Sequence, residues 1–394
     1  MGLQNFNKFI QEKSPDATRK IPLKQLNGER IAIDGYNIAY KYMAVAQKQE
    51  VTRLNILNDE LDHDKVSKNF INNILNLIKK FLAHGITPVF VLDGAVNPLK
   101  IDTRNKRKED KEKSREAYEQ AMNIIKQTEK LYITQEMIKN AKKELYKLIS
   151  LLPEDIDILN NLLSGFGIPC ITARHDGEKL CANLCNSGYV YAVYSTDADT
   201  YAFGSLRIMN NIESVMTDFG LTEIHVSITE TSKILTSLSI TLDQLIDMFI
   251  LIGSDYNDGI KGVGLKTAYS MIKKYGSIDN LGWKYDINSL NYMNCRDEFK
   301  IEPVDPEYLN LDQQLSFLIQ YGREISSQYD MSHHMDEFLL HTQNLPKPRN
   351  RSPSKPMILP QFTFTNPNPN NNVLYNNTQS TQIPRFNIIP FGKN

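Results

Sequence analysis

The chain has 394 residues, of which 41% are apolar, so it can bury one large core or two modest ones. Its formal net charge is −1, and no apolar run reaches the ~18 residues that a membrane span needs. The first residues lack the charged-then-apolar layout of a signal peptide. Four cysteines are too few for a disulfide framework, and they lack zinc-site spacing. We therefore expect a soluble intracellular protein that contacts no membrane.

Short β-branched and apolar runs alternate along the chain with long amphipathic stretches. The runs predict buried strands, and the stretches predict helices. Strands that alternate with helices indicate an α/β fold with a central, mainly parallel sheet flanked by helices. The predicted strands are Arg30–Ile33, Pro88–Leu92, Pro169–Thr172 and Tyr189–Tyr194, and two of the predicted helices are Lys65–Ala83 and Ile138–Leu152.

Composition divides the chain into five segments. Residues 1–102 and 151–240 form two parts of the core, and residues 103–150 form a charged helical cap between them. Residues 100–150 hold 14 Lys and Arg against 9 Asp and Glu, so this part presents a basic surface although the whole chain is nearly neutral. A solvated helical hairpin without a function would have the same composition.

The last two segments differ from the core. Residues 241–342 are predicted to be helical and are broken by glycines. Residues 343–394 are rich in Pro, Ser and Asn, and we predict that they are disordered because they cannot bury enough apolar area. The basic stretch Lys347–Lys355 fits a nuclear import signal and a solubilising tail equally well.

Three of the predicted strands lead into aspartate. Asp34 and Asp93 directly follow two of them, and Asp197-Ala198-Asp199 follows a third. Each aspartate alone is also a common turn or N-cap residue. In an open parallel sheet, however, ligands bind outside the carboxyl ends of the strands, so these side chains are expected to converge there.

Two further acidic positions extend this set. Asp176 and Glu178 open a predicted helix, and Asp255 follows another. A like-charge pair at ~4 Å costs roughly 4 kcal/mol at an effective dielectric constant of ~20, so such a cluster implies bound cations. Oxygen ligands favour Mg²⁺ or Mn²⁺ over zinc, and two such ions ~3.5–4 Å apart would clamp a phosphodiester. GxSxG, HExxH and Walker motifs are absent from the sequence.

In this order, the motifs resemble the flap endonuclease and XPG-type family of structure-specific 5′ nucleases, over about residues 1–330. The matching segments are Met1–Phe6, Ile31–Gly35, Val91–Gly94, Gly167–Glu178, Thr196–Ser205 and Gly253–Tyr256. One departure is Asp176, which stands where the family has a glutamate. The resemblance implies a PIN-like nuclease core in which two Mg²⁺ ions, with Mn²⁺ able to substitute, are held by Asp34, Asp93, Asp176, Glu178, Asp197, Asp199 and Asp255.

The resemblance also assigns residues that would contact DNA. Lys100 and Arg107 lie where the family has two basic residues that start the cap helix and contact the scissile phosphate. They are seven residues apart, so both can lie on one helix face. Tyr40 lies where the family has a tyrosine that stacks on a substrate base.

The segment Gly259–Ala268 resembles the glycine-containing helix–hairpin–helix with which the family grips duplex DNA. Gly262 and Gly264 would let the backbone approach a phosphate closely, and Lys266 would add positive charge. A glycine-rich helix end without DNA contact is the simpler alternative for this segment taken alone.

These observations together predict a monomeric Mg²⁺-dependent 5′ nuclease that cuts branched or flapped duplex DNA in replication or repair, in the nucleus, the cytoplasm or a viral factory. Two alternatives stay open: a catalytically silent DNA-binding scaffold of the same fold, and a related 5′–3′ exoribonuclease. Gln361–Phe364 is the nearest approach to a sliding-clamp peptide, and the pattern breaks at Pro367. The sequence therefore gives no support for recruitment by a clamp.

Overall fold

A seven-stranded sheet forms the centre of the computed structural model, which describes residues 6–148, 150–217, 220–282 and 284–309. The strands are β1 Thr18–Pro22, β2 Arg30–Asp34, β3 Thr87–Leu92, β4 Cys170–Thr172, β5 Ala192–Tyr194, β6 Arg207–Met216 and β7 Thr222–Glu230. Their order in the sheet is β1-β7-β6-β5-β2-β3-β4. The strands from β6 to β4 in this order are parallel, and β7 and β1 add an antiparallel edge. This confirms the predicted mainly parallel sheet.

Twelve helices are present in the described part of the chain. They are α1 Phe6–Lys13, α2 Gly35–Arg53, α3 His63–Ala83, α4 Ile101–Gln127, α5 Gln135–Lys147, α6 Pro153–Gly165, α7 Gly177–Asn186, α8 Asp199–Ala202, α9 Thr231–Leu238, α10 Leu242–Ile252, α11 Leu265–Tyr275 and α12 Tyr292–Glu298. Short 3₁₀ turns join several of them, and one of these, Pro98–Lys100, leads directly into α4.

The central strands of the sheet are buried on both faces, which explains why their sequences are continuous apolar runs. All six residues of β3 are buried. One face packs against α2, α3 and α6, and the other packs against α7. A separate apolar core joins α1 to helices α8 to α12, and its large buried side chains include Phe6, Tyr201, Phe249 and Phe299.

Three strands were not predicted from the sequence. In β6 most residues after Asn210 are exposed or half-buried, and in β1 none is fully buried, so neither gives an apolar run. The predicted strand at Tyr189–Tyr194 is shorter than expected and begins at Ala192. The predicted helix Ile138–Leu152 ends at Lys147, because a new helix begins at Pro153, which occupies the first helical position.

The cap helices α4 and α5 are more firmly attached than an exposed hairpin would be. They share a small apolar cluster with the end of α2, formed by Val51, Ile56, Ile125, Ala141 and Leu145. The Gln47 side chain of α2 donates a hydrogen bond to the Leu145 carbonyl (3.2 Å). The cap is therefore anchored on α2, the helix that directly follows Asp34.

Several predictions concern residues 310–394, which lie outside the described residues. They include the end of the helical segment 241–342, the tail 343–394, Lys347–Lys355 and Gln361–Phe364. Within the described residues, no single helix is long and apolar enough to cross a membrane; α9 and α10 meet that standard only as a pair, bent by 85°. The four cysteines are free thiols.

Candidate metal and nucleic-acid site

The predicted aspartates meet at one edge of the sheet. Asp34 is the last residue of β2, Asp93 follows β3, and Asp197 lies three residues beyond β5. Asp176 comes four residues after β4 and occupies the position before the first residue of α7, without a capping hydrogen bond from its side chain. The four strands β5, β2, β3 and β4 are neighbours and run parallel, so their carboxyl ends open at the same edge.

Asp34 is buried and fixed by its neighbours. It caps α2, where its Oδ1 accepts a hydrogen bond from the Asn37 amide (3.3 Å), and its Oδ2 accepts one from Ser195 Oγ (3.0 Å). The same Ser195 hydroxyl accepts a hydrogen bond from the Asp197 amide (3.1 Å). Asn37 Oδ1 in turn accepts from the Thr196 amide and hydroxyl (3.1 and 2.8 Å). Ser195 and Asn37 thus hold the β2 and β5 ends together, a role that their sequence context did not reveal.

Two glycines let the β3 and β4 ends approach each other. Asp93 Oδ1 accepts a hydrogen bond from the Gly177 amide at the start of α7 (2.8 Å). A Cβ at Gly177 would lie 3.0 Å from that oxygen, and a Cβ at Gly94 would lie 2.0 Å from the Ala173 carbonyl oxygen. Any side chain at these positions would push Asp93 away from the start of α7. Glu178 is the residue of α7 that follows Gly177, so the same contact places it near Asp93.

The carboxylates at this edge of the sheet affect one another's pKa values. Burial raises the pKa of Asp34 to about 7, and the Asp93 and Asp197 carboxylates add to the rise. The pKa of Glu178 is raised well above its ordinary value by burial and then by repulsion from Asp197, Asp34 and Asp199. Burial and repulsion from Asp197 and Asp255 likewise raise the pKa of Asp199. A group of carboxylates that repel one another in this way is suited to binding cations.

Lys100, at the end of the 3₁₀ turn before α4, and Arg107, on α4, both pair with carboxylates of this set. The Lys100 ammonium pairs with Asp176 (Nζ to Oδ1, 2.6 Å), and the Arg107 guanidinium pairs with Asp255 (2.5 Å). Burial lowers the pKa of Lys100, but Asp176 outweighs this and raises it to about 12. The two basic side chains therefore bring permanent positive charge to the edge of the site.

The donor set fits hard divalent cations, because every candidate ligand is a carboxylate oxygen. Within residues 6–148, 150–217, 220–282 and 284–309, no three acidic, His or Cys side chains already stand in an arrangement that would grip one metal ion. Two of the seven carboxylates, Asp176 and Asp255, are occupied by the basic pairs just described.

Comparisons with known proteins agree with this geometry. Models of the XPG N-terminal domain and the XPG I-region match residues 1–114 and 167–255. Flap endonuclease 1 of Sulfurisphaera tokodaii is 32% identical over 306 residues, which are 76% of this chain and 82% of that protein. The chain belongs to the flap endonuclease family of XPG-type nucleases.

Two further relatives show how much of the chain the similarity to this family covers. Flap endonuclease 1 of Cryptosporidium parvum is 33% identical over 288 residues, 71% of this chain and 56% of that protein. The structure of flap endonuclease-1 from Methanococcus jannaschii has a TM-score of 0.54 at 27% identity, covering 83% of this chain and 96% of that one. The chain spans about three fifths of the length of several relatives that it matches.

Tyr40, predicted from the family to stack on a base, lies on α2 with 52% of its surface exposed. It lines a groove of about 740 Å³ that runs between α2 and Tyr146 of α5. Lys41, Lys48 and Arg53 also line this groove. The ring is therefore accessible to an aromatic base beside positive charge.

The predicted duplex-gripping segment of this flap endonuclease family member joins α10 to α11. Gly262 adopts a left-handed backbone (φ +84°), and a Cβ at Gly262 or at Gly264 would meet nothing within 4 Å. Gly264 is the N-cap of α11, so no side chain covers the first amides of that helix. Lys266 follows in the first turn and forms an exposed ion pair with Glu12 (3.3 Å). The backbone here is open on its outer side.

The raised pKa values predict how stability depends on pH. Because folded Asp34 keeps its proton up to about pH 7 while the unfolded chain releases it near 3.8, the folded state loses stability as pH rises between these values. The difference corresponds to roughly 4 kcal/mol for this one group. Burial also raises the pKa values of Glu178 and Asp199, so these groups contribute to stability in the same direction. We expect the melting temperature in chelator to be several degrees lower at pH 8 than at pH 5.5.

Differential scanning fluorimetry across this pH range measures the effect. Asp34→Asn removes one of the titrating groups and should make the pH dependence shallower, whereas Asp59→Asn, on an exposed residue distant in sequence from the site, should leave it unchanged. A parental melting temperature that rises steadily from pH 5.5 to pH 8 would contradict the assignment.

Proposed function

We propose that this chain is a divalent-metal-dependent, structure-specific 5′ nuclease that hydrolyses DNA at flaps or branches, in replication or repair. The observation that carries the proposal is a set of seven carboxylates. Asp34, Asp93, Glu178, Asp197 and Asp199 lie close enough to repel one another, and Asp176 and Asp255 are paired with Lys100 and Arg107. Metal ions bound there, two Mg²⁺ or Mn²⁺, would supply an activated water and stabilise the leaving oxygen. Family membership supports the same assignment.

Each part of the protein contributes a distinct function in this proposal. The cations would be bound by five carboxylates: Asp34, Asp93, Glu178, Asp197 and Asp199. Asp176 and Asp255 would lie next to these ligands. Lys100 and Arg107 hold the scissile phosphate by charge. Tyr40 stacks on a base of the strand that enters the site.

The turn between α10 and α11 binds the duplex in the same proposal. The open backbone at Gly262 and Gly264, the uncapped start of α11 and the charge of Lys266 together form a site for a backbone phosphate. This grip acts as the family's helix–hairpin–helix does. We propose that the protein acts as a monomer in the nucleus or cytoplasm.

The test is product mapping on a labelled 5′-flap duplex, with nicked, gapped and blunt duplexes and an RNA flap alongside. With Mg²⁺ we expect cuts near the base of the DNA flap, and with chelator we expect none. Preference for the RNA flap would favour an exoribonuclease. Binding of the flap duplex that is the same with and without Mg²⁺, with no cutting in either case, would identify a silent scaffold and overturn the proposal.

A further inference from the structure

Asn97 occupies a buried position between β3 and the cap, and no motif in the sequence marked it. Its Nδ2 donates to Asp176 Oδ2 (3.2 Å) and to Glu298 Oε2 (2.9 Å), and its Oδ1 accepts from the Leu99 amide (3.0 Å). The reverse orientation of the amide would point its oxygen at two carboxylates, so the orientation is fixed by its partners. Asn97 therefore links α12, the end of β4 and the turn that carries Lys100.

Asp176 is the partner through which Asn97 reaches Lys100. Its Oδ2 also accepts a hydrogen bond from the Tyr256 hydroxyl (2.8 Å), and its Oδ1 pairs with the Lys100 ammonium (2.6 Å). That ammonium lies 4.9 Å from the centroid of the Tyr256 ring. Both oxygens of Asp176 thus contact protein donors, and the flexible lysine is held by a carboxylate that two neutral donors fix in place.

The other end of this chain of hydrogen bonds is rigid. Two residues before Glu298, the Arg296 guanidinium makes two hydrogen bonds to the buried Asp247 of α10 (2.7 and 2.8 Å) and two to Asp279 (3.0 and 3.4 Å). Asp247 also accepts from the Ile278 amide (3.0 Å). Helix α12 is therefore fastened to α10 and to the turn after α11, which lie on either side of the segment that would bind duplex DNA.

We propose that Asn97 is a positioning residue: anchored by Glu298, it holds Asp176 and, through Asp176, keeps the Lys100 ammonium directed at the scissile phosphate. The inference rests on the proposed function and adds a residue to it. A lysine has many rotamers, and a reacting geometry displaced by about 1 Å can cost on the order of 100-fold in rate. Asp176, which stands where the family has glutamate, then serves to orient Lys100.

Asn97→Asp separates positioning from local folding. Its carboxylate can still accept from the Leu99 amide, so the turn before Lys100 keeps its cap. It loses the amide donor and places a third acid between Asp176 and Glu298. We expect single-turnover cutting of a 5′-flap duplex to fall about 10- to 100-fold, while the dissociation constant for the same duplex changes less than about twofold.

Two further variants control for charge and for folding. Asn76→Asp adds the same charge on the exposed side of α3 and should leave both values unchanged. Asn97→Ser can cap the turn but is too short to reach Asp176, so it should reproduce the loss if Asn97→Asp is unstable. The melting temperature of each variant shows whether it is folded.

A double-mutant cycle with Lys100→Gln distinguishes positioning from a general structural effect. If Asn97 acts through Lys100, Asn97→Asp should cost less than about a further twofold in the Lys100→Gln background. The same fold-loss in both backgrounds, or parental cutting by Asn97→Asp and Asn97→Ser, would overturn the inference alone. A parental chain that cuts no flap would overturn the proposed function as well.

Discussion

Replacing Asp197 by asparagine is expected to reduce the single-turnover rate of flap cutting by roughly a thousandfold or more. Asp197 is exposed at the carboxyl edge of the sheet, and its charge acts on Asp34, Glu178 and Asp199 together. Asparagine has the same shape, and its oxygen can still accept the hydrogen bond that the Asp199 amide donates (3.1 Å). The substitution therefore removes the negative charge of a proposed metal ligand and keeps the hydrogen bond within the loop.

The same substitution should have a second, opposite effect on stability. Removing the Asp197 charge relieves repulsion at three buried carboxylates, so the variant should melt at a higher temperature than the parental protein in chelator at pH 8. Flap affinity in chelator should stay within about threefold of the parental value. Asp59→Asn, an exposed isosteric change, should alter none of these quantities. Cutting by Asp197→Asn at the parental rate would refute the metal assignment.

Replacing Lys100 by glutamine is expected to reduce cutting by about 100-fold, with a smaller loss of flap affinity. Lys100 stays protonated throughout any practical assay range, because Asp176 holds its pKa at about 12. Its side chain is only 20% exposed, so its charge is poorly screened by solvent. Without it, a transition-state phosphate would lose a fixed cation, whereas the exposed lysines of α4 would continue to attract the DNA backbone.

The Lys100 substitution should also destabilise the fold. Burial raises the pKa of Asp176, and the Lys100 charge with hydrogen bonds from Lys100, Tyr256 and Asn97 brings it below its ordinary value. Loss of that counter-ion leaves a buried acid uncompensated and should cost about 1–3 kcal/mol in urea denaturation at pH 7.5. Lys108→Gln, on the exposed side of the same helix, is the matched control. Equal cutting by the Lys100 and Lys108 variants would exclude a direct role for Lys100.

The sequence alone predicted the four neighbouring parallel strands β2 to β5 and the acidic residues at their carboxyl ends. The buried runs before Asp34 and Asp93 have the composition of covered parallel strands, and the direction of such strands determines which edge their terminal residues reach. Local periodicity also located α3 to within two residues of its start. These features depend on residues that are close together in the sequence, so they can be predicted without a structure.

The sequence pattern predicted strands least well where a strand is not buried on both faces. The β6 and β7 strands and the edge strand β1 pair with each other and expose much of their surface, so their residues alternate irregularly. Their existence is decided by pairing partners up to about 200 residues away in sequence, such as Thr18 with Thr229. The β-strand propensity of a short sequence segment contains no information about so distant a pairing partner.

Only the tertiary structure decided how charges are paired within the site. Lys100 could have faced any carboxylate, and it contacts Asp176 because Asn97 and Tyr256, from segments about 80 residues away on either side, fix that acid first. Asn97, Ser195 and Glu298 carry no motif, since a single amide, hydroxyl or carboxylate acquires a role only from what packs against it. The sequence determined the chemistry that collects at the sheet edge, and the packing of distant segments determined which atoms meet there.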